Sequence, residues 1–467
     1  MKKNPVQIAF FSAREFQKSL LENKPNVHYI QFLPPDGWII DNVPVPKCPS
    51  LNSSFFEYFD EVLDRLIKSG PIFSRHYDDL PSMELVLRST TLSILAIAEK
   101  MSATGTNKCV LGTAASHHLR TLMLEIACQI SGIEQIFEYY IFENRVLPLR
   151  QSKSIKDRSP VGGVISNFSF ASQLESWAQF GYSATSHENS PKATKNFLSA
   201  SLLITVNRFR STLWRIRSKR IRHSVKQQEQ IKSTGLLRDL QILNQQRKAM
   251  LTLTSFIQSD DTKNAFIPGR SLPYFLIMAH FQPEATSFPE GGEWHNFIDI
   301  AVELKRKFPE IPILYKEHPA CFVYSFSSRN SNVGTMRSAS YYKLLHEIGC
   351  TFVAKTGGAI QESFAIPVTI SGSVTLERSL QGLPTVVMGE PWYKGIPGML
   401  RIEDIGKLRF PLTLSSTIQS ETITFLENTL AGKTFENRLL SNDQNDLVKY
   451  NSEFREEYNS FIEMLLA

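Results

Sequence analysis

Short runs of branched and aromatic residues alternate along the chain with stretches whose apolar positions recur every three or four residues. VQIAFF (6–11) and VHYIQF (27–32) are runs of the first kind and predict strands. Residues 55–68 and 83–100 have helical spacing; CVLGT (109–113) predicts a strand, 119–130 a helix and QIFEYYIF (135–142) another strand. Strands mixed with helices point to a layered α/β domain, because parallel strands need helical crossovers. Residues 151–196 are rich in Ser, Gly, Asn and Pro and predict an excursion or active-site loop. A second alternation starts near 267. Its strand candidates, 274–279, 311–316, 351–355, 368–370 and 385–389, are largely apolar, as in a parallel sheet covered on both faces. Helical patterns at 294–307, 338–348 and 374–381 complete a doubly wound unit. From about 417, TITFLENTL and FREEYNSFIEMLL predict amphipathic helices that return to the first half as a brace. The expected division is 1–262, with a basic helical insertion around 201–228, then 263–415, then 416–467.

At 467 residues and 53.0 kDa the chain is too long for one hydrophobic core to be the default, in keeping with two domains. Its 51 Lys and Arg against 45 Asp and Glu give a net charge of +6. That excess lies in SLLITVNRFRSTLWRIRSKRIRHSVKQQ (201–228), which has eight Lys or Arg and no acidic residue. Interleaved with Phe209, Leu213, Trp214 and Ile216, they fit either a helix lying on an anionic membrane surface or a solvated helix packed on its own domain. No nucleic-acid recognition module accompanies the strip, so nucleic acid is not an expected partner. The five cysteines form no C-x-x-C pair and read as reduced and structural. No apolar run approaches the roughly 20 residues that span a bilayer, and the first residues lack a signal-peptide core. The expected location is the cytoplasm, with peripheral attachment to the inner face of its membrane as the basic strip's contribution.

Candidate chemistry gathers where the second unit's strands end, the place where open parallel sheets bind ligands. AHFQPE (279–284) brings His280, Gln282 and Glu284, and YKEHP (315–319) brings Lys316, His318 and Pro319. In ISGSVTLERSLQGLP (370–384), Ser371, Gly372 and Ser373 form a turn entering a short helix, offering hydroxyls and backbone N–H groups to a phosphate. Simple helix capping is the alternative role for the serines. Glu377 lies one helical turn beyond Ser373, on the same face. There is no P-loop lysine and no G-x-G-x-x-G, which argues against an ATPase or a dinucleotide oxidoreductase. No D-x-D or His/Cys/Asp cluster with ligand spacing is evident at a strand end, so no metal is expected.

The phrases AHFQPEATSFPEGG, LYKEHP and SGSVTLERSLQGLPTVVMGEPWY occur in that order, and with them the C-terminal half resembles bacterial capsular and surface polysaccharide biosynthesis glycosyltransferases, including the capsule β-Kdo transferases. The resemblance implies a GT-B-like α/β fold: two Rossmann-like domains facing across a cleft, the nucleotide on the C-terminal one and the acceptor on the N-terminal one. It makes His318, Ser371 and Ser373 nucleotide-phosphate contacts, sets His280, Gln282 and Glu284 at the cleft mouth, and matches Arg337 to a basic position between the two turns. The implied donor is a CMP-linked ulosonic acid, Kdo or sialic-acid-like, transferred without a required cofactor to an oligosaccharide or lipid-linked glycan. Ser-Gly-Ser stands where relatives have Gly-Thr or Ser-Ser, which leaves the donor open. An inverting transfer would need a base from the N-terminal domain: His117 or His118 first, Asp78 or Asp79 next. Two other readings are a CDP-alditol-dependent alditol-phosphate transferase of the teichoic-acid type and a non-catalytic polysaccharide-assembly protein.

Overall fold

The computed structural model describes residues 6–11, 24, 26–33, 37–69, 80–112, 119–142, 145–151, 155–162, 193–194, 244–245, 247–257, 272–280, 289–318, 324–325, 337–353, 363–431, 433–436 and 452–466. These fall into two compact units. One holds the described residues through 162 and those from Asn428 onward; the other holds the described residues between, through Glu427.

The first unit is built on four parallel strands, β1 (Ile8–Phe11), β2 (Val27–Leu33), β5 (Lys108–Leu111) and β6 (Glu134–Phe142), in the order β2-β1-β5-β6. Ile8, Phe10, Cys109, Val110 and Leu111 are all buried, so consecutive residues find cover on opposite faces of the sheet. Helices α1 (Phe59–Lys68), α2 (Leu80–Ala103) and α3 (Leu119–Ile130) lie in its connections. Antiparallel strands extend both edges: β3 (Gly37–Ile40) and β4 (Val43–Pro44) beside β2, and β7 (Arg145–Gln151) with β8 (Ser159–Pro160) beside β6. Asp41 and Asn42 turn β3 into β4 with φ of 51° and 65°, the left-handed backbone a two-residue hairpin needs. The chain's end also belongs here. Strand Phe435–Glu436 pairs with β7, and helix Ser452–Leu466 sets Tyr458, Phe461, Ile462 and Leu465 against Ile8, Phe10, Val110, Ile136 and Val146. A buried ion pair pins this helix, with Arg145 Nη1 3.1 Å from Glu457 Oε2, while Arg145 Nη2 donates to the Thr434 carbonyl at 2.9 Å.

The second unit holds a six-stranded, wholly parallel sheet: β9 (Tyr274–Met278), β10 (Ile313–Lys316), β11 (Cys350–Phe352), β12 (Ala365–Thr369), β13 (Thr385–Val387) and β14 (Met399–Leu400), ordered β11-β10-β9-β12-β13-β14. Counted from β9 this is 3-2-1-4-5-6, the Rossmann order. Helices α4 (Phe297–Lys307), α5 (Ala339–Ile348) and α6 (Val374–Leu380) make the crossovers, at the places their apolar periodicity predicts. Asn296 caps α4 by accepting from Ile298 N–H at 3.0 Å, Ser338 caps α5 by accepting from Tyr341 N–H at 3.1 Å, and Gly349 ends α5 at φ 101°. Phe275, Ile277, Phe297, Tyr315, Tyr342, Phe352 and Val368 fill the layer between sheet and helices. β12 starts three residues earlier than its apolar pattern predicts and carries Pro367 in its middle, opposite Leu276. Two sheet-centred units with flanking helices make this a GT-B-like architecture of two Rossmann-like domains. The basic strip 201–228, and the 151–196 excursion apart from 151, 155–162 and 193–194, lie outside the described residues. Among the described residues no helix is long and apolar enough to cross a membrane.

Candidate functional site

Strand order locates the site. β9 and β12 are neighbours, but the chain leaves β9 toward β10 and leaves β12 toward β13, so their connections part and open a crevice at the carboxyl ends. His280 follows β9, and Ile370, Ser371, Gly372 and Ser373 follow β12. The two ends are tied: His280 Nε2 lies 2.7 Å from Thr369 Oγ1, and Ser371 N–H points to the same nitrogen at 3.4 Å. Thr369 Oγ1 in turn accepts from Gly372 N–H at 3.0 Å. One assignment satisfies all three contacts: the threonine hydroxyl donates to an unprotonated Nε2, and the ring proton sits on Nδ1. Burial, helped by the charges of His318 and Arg337, pushes the His280 pKa down to about 3, so this imidazole is neutral at physiological pH.

The turn after β12 is shaped by its neighbours. A Cβ on Gly372 would meet Thr369 Oγ1 at 2.5 Å and His280 Nε2 at 3.2 Å, so glycine here makes room for the protein's own tie between strands. The Gly372 carbonyl accepts from the buried Tyr393 phenol at 2.7 Å. Ser373 does not cap α6 with its side chain; its hydroxyl donates to Glu377 Oε1 at 3.2 Å. Ser371 is buried against the His280 ring.

One strand over, β10 ends in Lys316, Glu317 and His318. Glu317 and Arg337 form an ion pair whose side chains are each 1% exposed, with Arg337 Nε 2.8 Å from Glu317 Oε2. Glu317 Oε2 also accepts from the phenols of Tyr315 at 3.0 Å and Tyr342 at 2.9 Å, and Oε1 accepts from His318 N–H at 2.7 Å. Arg337 Nη2 donates to the His280 carbonyl at 2.9 Å, and its guanidinium lies over the rings of Tyr341 and Phe297 at 4.9 and 5.6 Å. Burial pushes the Glu317 carboxyl up, but the Arg337 guanidinium and the hydrogen bonds outweigh it and hold the group below the usual carboxylate range. Lys316 is half-buried. Desolvation lowers its pKa, while the carboxylates of Glu317 and Glu377 pull it back up.

Of the residues singled out from sequence, the structure gathers His280, Lys316, His318, Arg337, Ser371, Gly372, Ser373 and Glu377 at this end of one sheet. Gln282, Glu284, Pro319, Asp78, Asp79, His117 and His118 lie outside the described residues. Arg337 reaches the site through Glu317 and a backbone carbonyl, both within the protein. Sequence reasoning missed Glu317 and Thr369. A carboxylate directly after an apolar strand, with a Tyr-Tyr pair opening a later helix, was the available signal for the first. Among the described residues no three His, Cys, Asp or Glu side chains gather as a metal site.

No protein-family model matches the chain, and no curated protein matches it. Among solved structures, it resembles the beta Kdo 2,7 transferase of Thermosulfurimonas dismutans at 11% identity, over 74% of this chain and 83% of the other, with a TM-score of 0.32. The UDP-GlcNAc 2-epimerase of Neisseria meningitidis is similar at 13% identity over 81% of each chain, with a TM-score of 0.20. That of Rickettsia bellii is similar at 12% over 99% and 96%, also at 0.20. Scores this low carry no weight of their own; the architecture rests on the strand order.

Proposed function

We propose that the protein is a glycosyltransferase of surface-glycan synthesis whose second unit binds the nucleotide of an activated sugar at the β9/β12 crevice. The observation that carries this reading is the tie between His280 and the Ser371–Gly372 turn at the switch point of a 3-2-1-4-5-6 sheet. There the tie fixes the Ser371–Ser373 turn at the entry of α6, near the half-buried Lys316 whose charge feels the Glu377 carboxylate, a placement that suits an anionic phosphate. The guanidinium beside His280 is committed to Glu317, which suits the singly charged phosphodiester of a CMP-linked sugar better than a diphosphate. The three sequence phrases favour an ulosonic acid as the sugar.

His318→Ala is expected to weaken CMP binding at least about tenfold, ~1.4 kcal/mol, with the melting temperature kept, because the residue follows the strand rather than filling the core. Isothermal calorimetry decides it; wild-type affinity for CMP in a folded variant would refute the assignment. The base is proposed to come from the first unit, at His117 or His118. Alanine variants there should bind donor normally and slow the transfer step about a hundredfold. Single-turnover assays with CMP-sugars and CDP-alditols test both points. Full activity in both histidine variants alongside loss in Asp78 or Asp79 variants would move the role, and turnover of CDP-alditols alone would replace the sugar by an alditol phosphate.

A further inference from the structure

We infer that Glu317 and Arg337 are positioning residues of the crevice: a single buried ion pair that holds the backbone on which both site histidines are mounted. The inference rests on reading the crevice as a nucleotide site. His280 and His318 end adjacent parallel strands, and nothing in the strand ladder fixes how far apart the chain leaves them once pairing stops. The pair spans that gap. Arg337 Nη2 grips the His280 carbonyl at 2.9 Å, Glu317 Oε1 takes the His318 N–H at 2.7 Å, and the two side chains meet at 2.8 Å. The linkage is itself braced by the Tyr315 and Tyr342 phenols and by the Tyr341 and Phe297 rings. A linkage so enclosed does not meet a ligand directly. It acts by setting where the two imidazoles stand.

The roles of the two residues separate by atom, and this makes them testable. Glu317→Gln combined with Arg337→Met replaces the pair by neutral groups of similar size. The glutamine can still accept from His318 N–H, but the Arg337 hydrogen bond to the His280 carbonyl is lost. The double variant is expected to melt within a few degrees of wild type. It should bind CMP at least tenfold more weakly, and the ring signal of His280, assigned with a His280→Gln protein, should shift or broaden in ligand-free NMR spectra while that of His318 stays in place. Arg337→Lys, which keeps one charge but has no fork to bridge both partners, should fall between. A stable double variant with wild-type CMP affinity and an unmoved His280 ring would overturn the inference. If wild-type protein binds no CMP, the nucleotide reading fails instead. The His280 ring then decides the positioning role alone: displaced supports it, unmoved refutes it.

Discussion

Arg337→Met by itself is expected to cost about 3–5 kcal/mol of folding stability, because it leaves the Glu317 carboxylate buried without its counter-charge. The dependence on pH should change sense. In the wild type the folded carboxyl titrates below its unfolded value, so its contribution is present above the unfolded pKa and is lost as pH falls through the lower folded one. Without the guanidinium, burial becomes the dominant influence and lifts the folded value above the unfolded one, so the variant's deficit should shrink as pH falls and the group takes up a proton. Urea titrations at about pH 7.5 and about pH 5 measure this directly. A deficit that stays constant, or grows on acidification, would mean that Glu317 is not the group left exposed to burial.

Gly372→Ala should damage binding more than its size suggests. A methyl group 2.5 Å from Thr369 Oγ1 and 3.2 Å from His280 Nε2 cannot be absorbed without parting the β9 and β12 ends. Overpacking of this kind costs about 1–3 kcal/mol of stability. The larger loss is expected in function: a shift near 1 Å at a positioned group can slow chemistry about a hundredfold. Gly349→Ala is the matching control. Its backbone φ of 101° makes any side chain strained, yet a Cβ there meets nothing. It should cost about 1–2 kcal/mol and leave CMP affinity as it was. Equal effects of the two alanines on binding would show that Gly372 matters only as a flexible link.

The readable parts of this chain were those where one physical signal dominates. Helices α4 and α5 announce themselves by apolar spacing, and the fold adds a capping Asn or Ser and, for α5, a terminal glycine. β12 was half hidden because Pro367 cannot donate a ladder hydrogen bond and so argues against a central strand. β7 was missed for a similar reason, with Pro148 and two arginines breaking its pattern. Local sequence placed the site histidines and the turn but not what holds them. Glu317 and Arg337 are 20 residues apart, and His280 and Thr369 are 89 apart, distances at which no periodicity speaks. An arginine between two ligand-facing turns looks like an anion contact until its burial beside a carboxylate is known.

The strand order also has a consequence during synthesis. β9 ends as a central strand, yet it is made first, and its neighbour β12 emerges only after β10 and β11 have been laid down on the other side. Throughout that interval YFLIM is the outer margin of a growing sheet, with one row of backbone N–H and C=O groups unmatched and side chains that will later be almost wholly enclosed. Such a margin invites pairing with another chain. A translation product stopped short of Ala365 is therefore expected to join its copies, and completion of the fold depends on the fourth strand arriving to close the seam.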